Sequence, residues 1–357
     1  MSDVIIATDA FISPAGLATA RMARSPDGKL YCAYLGGQAV LPSGRKFGHP
    51  TFRYSTNSGV TWTLGSLPST GQNLATSMAI SHSSVAAKPT VAWLYPGATS
   101  NPLESATEKF VYFGGQKIAS PRNYHDPAII SGVRTKYIDQ NNYSKGIHLT
   151  WIDEWGVTQP YEILRSNRYL VHADWYGNWG WGIDVIAEPQ TNGPYDYNAV
   201  GVVDYAFDTD SSDNAYFVWL DNGLRYRALT GPARTASGQH GRVLGAAQLI
   251  SAAALSSGGV SLAISGTSDA GFMHIAWTDA LHNVYYCYGR LGGGAVVFST
   301  IDKIGNSGAN PKIVIDPLNN LVVFWAASKE IRYAKCVAPY IRANGVEVGR
   351  TPWIKDQ

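Results

Sequence analysis

Arg53-Tyr54-Ser55-Thr56-Asn57-Ser58-Gly59-Val60-Thr61-Trp62 decides the fold. Tyr54 ends an apolar-polar alternation. Ser55, Thr56 and Asn57 are short side chains that hydrogen-bond their own backbone, and Gly59 supplies a positive φ. Thr61-Trp62 then resumes strand character with an aromatic ring able to fold back over the turn. The ten residues therefore predict the corner of a β-hairpin.

Outward from that corner, one unit recurs along the chain: an apolar strand, a turn with Asp, Asn, Ser or Gly, a second apolar strand ending in an aromatic, and a third strand rich in Tyr and Arg. The first copy runs Ala18–Ser25, turns at Pro26–Gly28 and continues as Lys29–Tyr34 into the corner. The second has Ser77–Ser81, Pro89–Trp93 and Lys109–Phe113; the third has Pro127–Ile130, Ile147–Trp151 and Tyr161–Arg165. The fourth has Ala199–Phe207, a turn through Asp208–Asn214, Ala215–Trp219 and Gly223–Arg227. Val260–Ile264, Phe272–Trp277 and Asn283–Tyr288 make the fifth, and Lys312–Ile315, Leu321–Trp325 and Glu330–Tyr333 the sixth. From Tyr34 through Trp93, Trp151, Trp219 and Trp277 to Trp325 the steps are 59, 58, 68, 58 and 48 residues. Period-2 alternation at this spacing predicts an all-β chain, a single β-propeller of six four-stranded blades over residues 1–344. Residues 345–357 are expected either to close a blade or to extend from it. A pair of packed sandwiches would explain the alternation but not the recurring tryptophan. The inserts Ser166–Asn198 and Gly36–Pro50 are expected to be face loops.

The corner resembles the Asp-box, or BNR repeat, of sialidase-type β-propellers, whose pattern is Ser-x-Asp-x-Gly-x-Thr-Trp. Asn57 stands where that pattern has aspartate. In that family the box is a folding device on the outer part of a blade, so the resemblance implies a fold before it implies a function. Sialidase chemistry uses three arginines around a carboxylate, a Tyr-Glu nucleophile pair and an aspartate acid/base. The first arginine would fall about ten residues before the glycine of the following turn; counting back from Gly28 reaches Ala18. Arg21 lies at an odd offset, on the other face of the strand, and Arg24 lies roughly 20 Å further along. Gly36–Pro50, where the acid would belong, contains no Asp or Glu. The expectation is that the chain does not hydrolyse sialic acids.

Composition narrows the partners. The 357 residues carry 15% charged and 12% aromatic side chains, with 28 basic against 26 acidic groups and a net charge of +2. No run of Lys or Arg could track a phosphate backbone, so nucleic acid is not expected as a partner. Cys32, Cys287 and Cys336 lie in apolar strand-like segments without zinc spacing, which predicts buried thiols. No metal and no cofactor is expected. The N-terminus has no secretory pattern and no segment is long and apolar enough to span a bilayer, so membrane insertion is not expected. Synthesis in the cytoplasm and a place in a virion after lysis fit these features.

Two groups of residues could carry function. Arg122, His125 and Asp126 open the third unit, and Tyr195 and Asp196 open the fourth. Strand openings of adjacent blades converge at one mouth of a propeller channel, where these side chains could supply a base, a carboxylate partner and an arginine to neutralise an acidic sugar. They could equally cap the strand openings, since Asp before Pro starts a turn and Tyr hydroxyls satisfy loop backbone. The second group is Trp175, Tyr176, Trp179 and Trp181. Exposed rings beside Asn and Asp suit a sugar-binding surface, a protein interface or packing over the blade edges. The sequence thus predicts a non-catalytic binding or structural propeller that recognises a glycan or another virion or cell-surface protein, as a tail, receptor-binding or decoration component. The alternative is a carbohydrate-active enzyme, a glycoside hydrolase or polysaccharide lyase, working at the channel mouth.

Overall fold

A computed structural model describes residues 21–24, 29–40, 46–65, 77–81, 90–95, 110–113, 116–117, 123–131, 147–154, 168–175, 181–188, 201–210, 212–231, 241–252, 259–265, 271–291, 296–315, 321–327, 330–336 and 354–355. Among them the regular elements are all strands, and no helix is long and apolar enough to cross a membrane. The chain divides into two compact units, residues 1–133 with 141–187 and residues 134–140 with 188–357.

The first unit holds three four-stranded antiparallel meanders. They are β1 (Arg21–Arg24), β2 (Leu30–Val40), β3 (Lys46–Ser55) and β4 (Thr63–Leu64); then β5 (Ser77–Ser81), β6 (Thr90–Tyr95), β7 (Phe110–Phe113) and β8 (Gln116–Lys117); then β9 (Asn123–Ser131), β10 (Ile147–Glu154), β11 (Arg168–Trp175) and β12 (Trp181–Ala187). The second unit repeats the plan. Its sheets are β13 (Asp204–Thr209), β14 (Ala215–Leu220), β15 (Leu224–Thr230) and β16 (Val243–Leu244), with β17 (Gln248–Ser251) also pairing β15; then β18 (Val260–Ser265), β19 (Phe272–Thr278), β20 (Val284–Arg290) and β21 (Asp302–Gly305); then β22 (Ala309–Ile315), β23 (Leu321–Ala327), β24 (Glu330–Cys336) and β25 (Ile354–Lys355). Six consecutive small meanders are blades, and the fold class is all-β, of the β-propeller type. Within the units, β5 packs against β1 and β9, and β18 against β13 and β22.

Among the second strands, β23 alternates buried residues with partly or fully exposed ones, whereas β14 and β19 are buried on both faces, with every residue buried. Such strands read as continuous apolar runs rather than alternating ones. The aromatics that set the sequence period sit in this layer, with Tyr34, Trp151, Trp219, Trp277 and Trp325 all at most 5% exposed. Trp325 shows how the blades meet. A methyl group at Gly305, the end of the preceding blade, or at Gly308, in the link that follows, would collide with its indole.

Turn chemistry is carried by short polar side chains. At the corner after β3, the Ser55 hydroxyl oxygen accepts the Gly59 N–H at 2.9 Å, and Asn57 Oδ1 accepts the Thr61 N–H at 2.9 Å. Asn57 Nδ2 donates to Thr61 Oγ1 at 2.8 Å, and the Trp62 indole N–H donates to the Gly59 carbonyl at 3.0 Å. Gly59 takes φ +89°, with the Trp62 ring beside it. Two further turns, Asp210–Asn214 and Asp279–Asn283, share one design: the aspartate accepts the N–H groups two and four residues on and the Asn side-chain amide. Asp213 and His282 sit at the positive-φ position of each.

Neighbouring blades of the second unit are joined by side chains rather than by a ladder. Asp204 accepts the Val260 N–H at 2.9 Å and Asp208 accepts the Ile264 N–H at 2.8 Å, both on the open edge of β18. Ser261 Oγ accepts the Ile313 N–H of β22 at 3.1 Å.

Three expectations change. The third strand of the third blade is β11, not Tyr161–Arg165. Ser166–Asn198 is not a face loop throughout, because it contains β11 and β12. Gly36–Pro50 is largely the continuation of the β2–β3 hairpin, with a bulge between Gly36 and Ala39. In that hairpin the bulge absorbs Gly37, and pairing satisfies the backbone on either side of it. Ile354–Lys355 pairs with β24 as the fourth strand of the last blade.

The half-buried Trp62 ring holds the corner, so Trp62→Ala is expected to cost about 2 kcal/mol, somewhat below the loss of a fully buried ring. Asn57→Asp keeps the Thr61 and Ser55 donors satisfied and should cost less than about 0.5 kcal/mol. Equal losses in thermal unfolding would contradict this account of the corner.

A second expectation comes from His274, which is buried with Nε2 bonded to the Ser265 hydroxyl and Nδ1 to the Tyr286 hydroxyl, each at 2.9 Å. Burial pushes its pKa down from 6.5 to about 4. Between those values the unfolded chain binds the proton and the folded chain does not, so stability falls as pH falls through the window. Relative to His274→Gln, the unfolding free energy of the wild type should drop by about 3 kcal/mol between pH 7 and pH 4. Asp208, whose carboxyl burial lifts to about 6, acts with the opposite sign but is common to both proteins. Denaturant titrations giving a pH-independent difference would refute the assignment.

Candidate functional site

The third blade carries the chemistry. Its strand β10 pairs with β9 and β11, and β11 with β12. Cross-strand partners share a face, as do residues two apart on one strand. By register Thr150, His172 and Asp184 form one row across β10–β12, and His148, Asp174 and Gly182 form the next. Five polar side chains therefore lie on one face of one blade. His148, Thr150, His172 and Asp174 are fully buried, and the Asp184 side chain is 18% exposed.

Within this face His148 Nδ1 and His172 Nε2 are 2.9 Å apart, so one ring donates to the other. The ring centroids lie 5.2 Å apart with planes inclined by 30°. His172 Nδ1 is 3.8 Å from Asp184 Oδ2, too long for a hydrogen bond. Ligand atoms of His172, Asp174 and Asp184 all lie within 4.8 Å of one another. Among the described residues this is the group of His, Cys, Asp and Glu side chains that could hold a metal ion. Sequence spacing conceals it, since the members are 2 and 10 residues apart along the chain, and only the β11–β12 register brings Asp184 beside His172. His172-Ala173-Asp174 alone carried a signal: two ligand types at strand spacing, on one face.

The cluster lies directly behind the aromatic stretch. Trp175 ends β11 and Trp181 opens β12 as its cross-strand partner, one residue beyond Asp174 and Gly182. Tyr176 and Trp179 belong to the connecting residues 176–180, outside the described residues. Of the channel-mouth candidates, His125 and Asp126 fall in β9, with His125 opposite Ile152. There three residue steps of β9, from His125 to Ala128, oppose two of β10, from Thr150 to Ile152. Pro127 has no N–H to give the ladder, which accounts for the bulge. Arg122, Tyr195 and Asp196 lie outside the described residues, so no described geometry unites the five. Cys32, Cys287 and Cys336 are buried free thiols, and burial pushes the Cys287 thiol up to about 12, far from a reactive thiolate.

No family model matches the chain, and no curated protein does. Among solved structures it is similar to the fucose-specific lectin from Aleuria aurantia, at 13% identity and TM-score 0.48, covering 98% of this chain and 96% of that one. It is also similar to the Hadza microbial sialidase Hz136, at 12% identity and TM-score 0.46 over 87% of this chain and 63% of that one. A third likeness is to the GH93 α-L-arabinofuranosidase of Fusarium graminearum, at 11% identity and TM-score 0.45 over 97% and 84%. Likenesses at this level assign neither ligand nor activity.

Proposed function

We propose that the chain is a non-catalytic binding propeller whose recognition surface is the tip of the β11–β12 hairpin and whose ligand is a glycan. The observation that carries this reading is the register of β11 and β12: Trp175 pairs with Trp181 at the end of the ladder, and the sequence between them adds Tyr176 and Trp179. Four aromatic residues in seven positions at the end of one hairpin offer ring faces for the apolar faces of pyranoses, and Asn178 offers an amide for hydroxyls. The Ser55–Trp62 corner supports grouping the chain with the sialidase-type propellers as a form of the Asp-box with Asn57 in place of aspartate. A place in a virion belongs to the same proposal and rests on composition; a mass-spectrometric inventory of released particles tests it.

The test is a glycan array probed with labelled protein, followed by titration of the best ligand. Trp179→Ser with Trp181→Ser should weaken binding at least about tenfold, equivalent to roughly 1.4 kcal/mol. Trp179→Ser alone should weaken it while leaving the unfolding temperature within a few degrees. Unchanged binding would move the site elsewhere. Breakdown of a polysaccharide, lost on His125→Ala, would replace this reading with the enzymatic one.

A further inference from the structure

We propose that His172, Asp174 and Asp184 form a binding site for one divalent transition-metal ion of the zinc class, with His148 holding the His172 ring in position. A tetrahedral ion with bonds of about 2.0–2.2 Å places its ligands about 3.3–3.6 Å apart. The His172 Nδ1 to Asp184 Oδ2 separation of 3.8 Å is within a few tenths of an ångström of that span. The three ligand atoms all lie within 4.8 Å of one another, so the longest separation closes by no more than about 1.5 Å on binding.

The partners of these groups fit the same reading. When His172 Nε2–H donates to His148 Nδ1, the lone pair of His172 Nδ1 points to the carboxylate side. Metal-ligating imidazoles are held in this way by a bond to the other ring nitrogen. A divalent cation supplies the charge complement to two neighbouring carboxylates. One imidazole nitrogen with two carboxylate oxygens suits zinc or manganese better than calcium or a thiophilic ion, and leaves a position for water. Asp184, the partly exposed member, gives the ion its access.

A comparison within the chain supplies independent support. Three residues before the buried tryptophan, β10 has His148 and β19 has His274. By register Tyr288, Tyr286 and Asp302 of the fifth blade occupy the places of Asp174, His172 and Asp184. There the histidine bonds to the Ser265 and Tyr286 hydroxyls, and Asp302 is the one carboxylate among the corresponding places. On the same lattice the third blade replaces two tyrosines with an imidazole and a carboxylate. The inference does not depend on the glycan reading, because metal affinity is measured without any sugar.

Full-length protein stripped with a chelator and titrated with Zn²⁺ by calorimetry should bind about one equivalent, with an unfolding temperature raised by a few degrees. Co²⁺ should give a visible d–d spectrum. Asp184→Asn, nearly isosteric and at the edge of the cluster, should fold with unchanged circular dichroism and bind at least about tenfold more weakly. Asp174→Asn should do the same, whereas His274→Gln in the fifth blade should leave binding unchanged. Absence of saturable Zn²⁺ or Mn²⁺ binding by the wild type at millimolar metal overturns the proposal, as does affinity unaffected by both Asp variants. If neither variant folds, the cobalt spectrum of the wild type decides, and its absence also overturns the proposal.

Discussion

The inner strand of a blade has an open edge, and the packing of neighbouring blades depends on what meets its N–H groups. An unpaired backbone donor removed from water costs roughly 1–3 kcal/mol, and an exposed edge invites pairing with another chain. In the second unit the answer is a pair of carboxylates. Asp204 and Asp208 stand four residues apart on β13 and meet Val260 and Ile264, four apart on β18. The match fixes both distance and register between two blades that share no ladder. Each carboxylate also accepts its own neighbour's amide, Tyr205 or Thr209, at 2.8 Å. Burial nonetheless raises the Asp208 carboxyl, so its desolvation outweighs the two amides that favour its charge.

Edge hydrogen bonds set register, and indole packing sets the separation. Trp325 needs glycine at 305, the end of the blade before it, and at 308, in the link that follows, so this large residue of a second strand requires small ones beside it. The polar end of a tryptophan must also be met: the Trp219 N–H donates to Asp221 at 2.7 Å, and Asp221 is held in turn by Arg225. Aspartate two residues after the tryptophan recurs as Asp153, Asp221 and Asp279, but its use differs. Asp279 instead closes its own turn by accepting from Leu281 and Asn283. The repeat conserves a position along the chain while the local chemistry varies.

Blade number, blade order and most second strands were legible because the large aromatics recur at a spacing that only a repeated meander explains. The corner at Ser55–Trp62 was legible because its hydrogen bonds are local, spanning at most four residues. The first two strands of the third blade were legible too, as Pro127–Ile130 and Ile147–Trp151, but its third and fourth were not. Arg168–Trp175 mixes Arg, Tyr, His, Asp and Trp, and its alternation vanishes because Leu170–Asp174 are buried on both faces. His148, His172 and Asp184 are 24 and 12 residues apart, and their meeting depends on the register of two hairpins. Register follows from turn length and bulges, such as the one between Leu170 and Val171, and periodicity reports neither.

The corresponding faces of the third, fourth and fifth blades differ in chemistry at equivalent register places. At the place of His172 the fourth blade has Tyr226 and the fifth Tyr286; at the place of Asp184 the fourth has Gln248. A buried tyrosine fills volume with a ring and needs one partner for its hydroxyl, so it is the less demanding occupant. Replacing it with imidazole and a second carboxylate removes apolar volume and adds charge, both unfavourable in a face that excludes water. Packing alone would favour the tyrosine used in the other two blades. The third blade thus differs from the fifth, which has Asp302 at the place of Asp184, in exchanging two tyrosines for His172 and Asp174, next to the Trp175–Trp181 pair. A cation between the carboxylates would offset that cost and tie β11 to β12 at the base of the aromatic turn, coupling the rigidity of the tip to occupancy of the site.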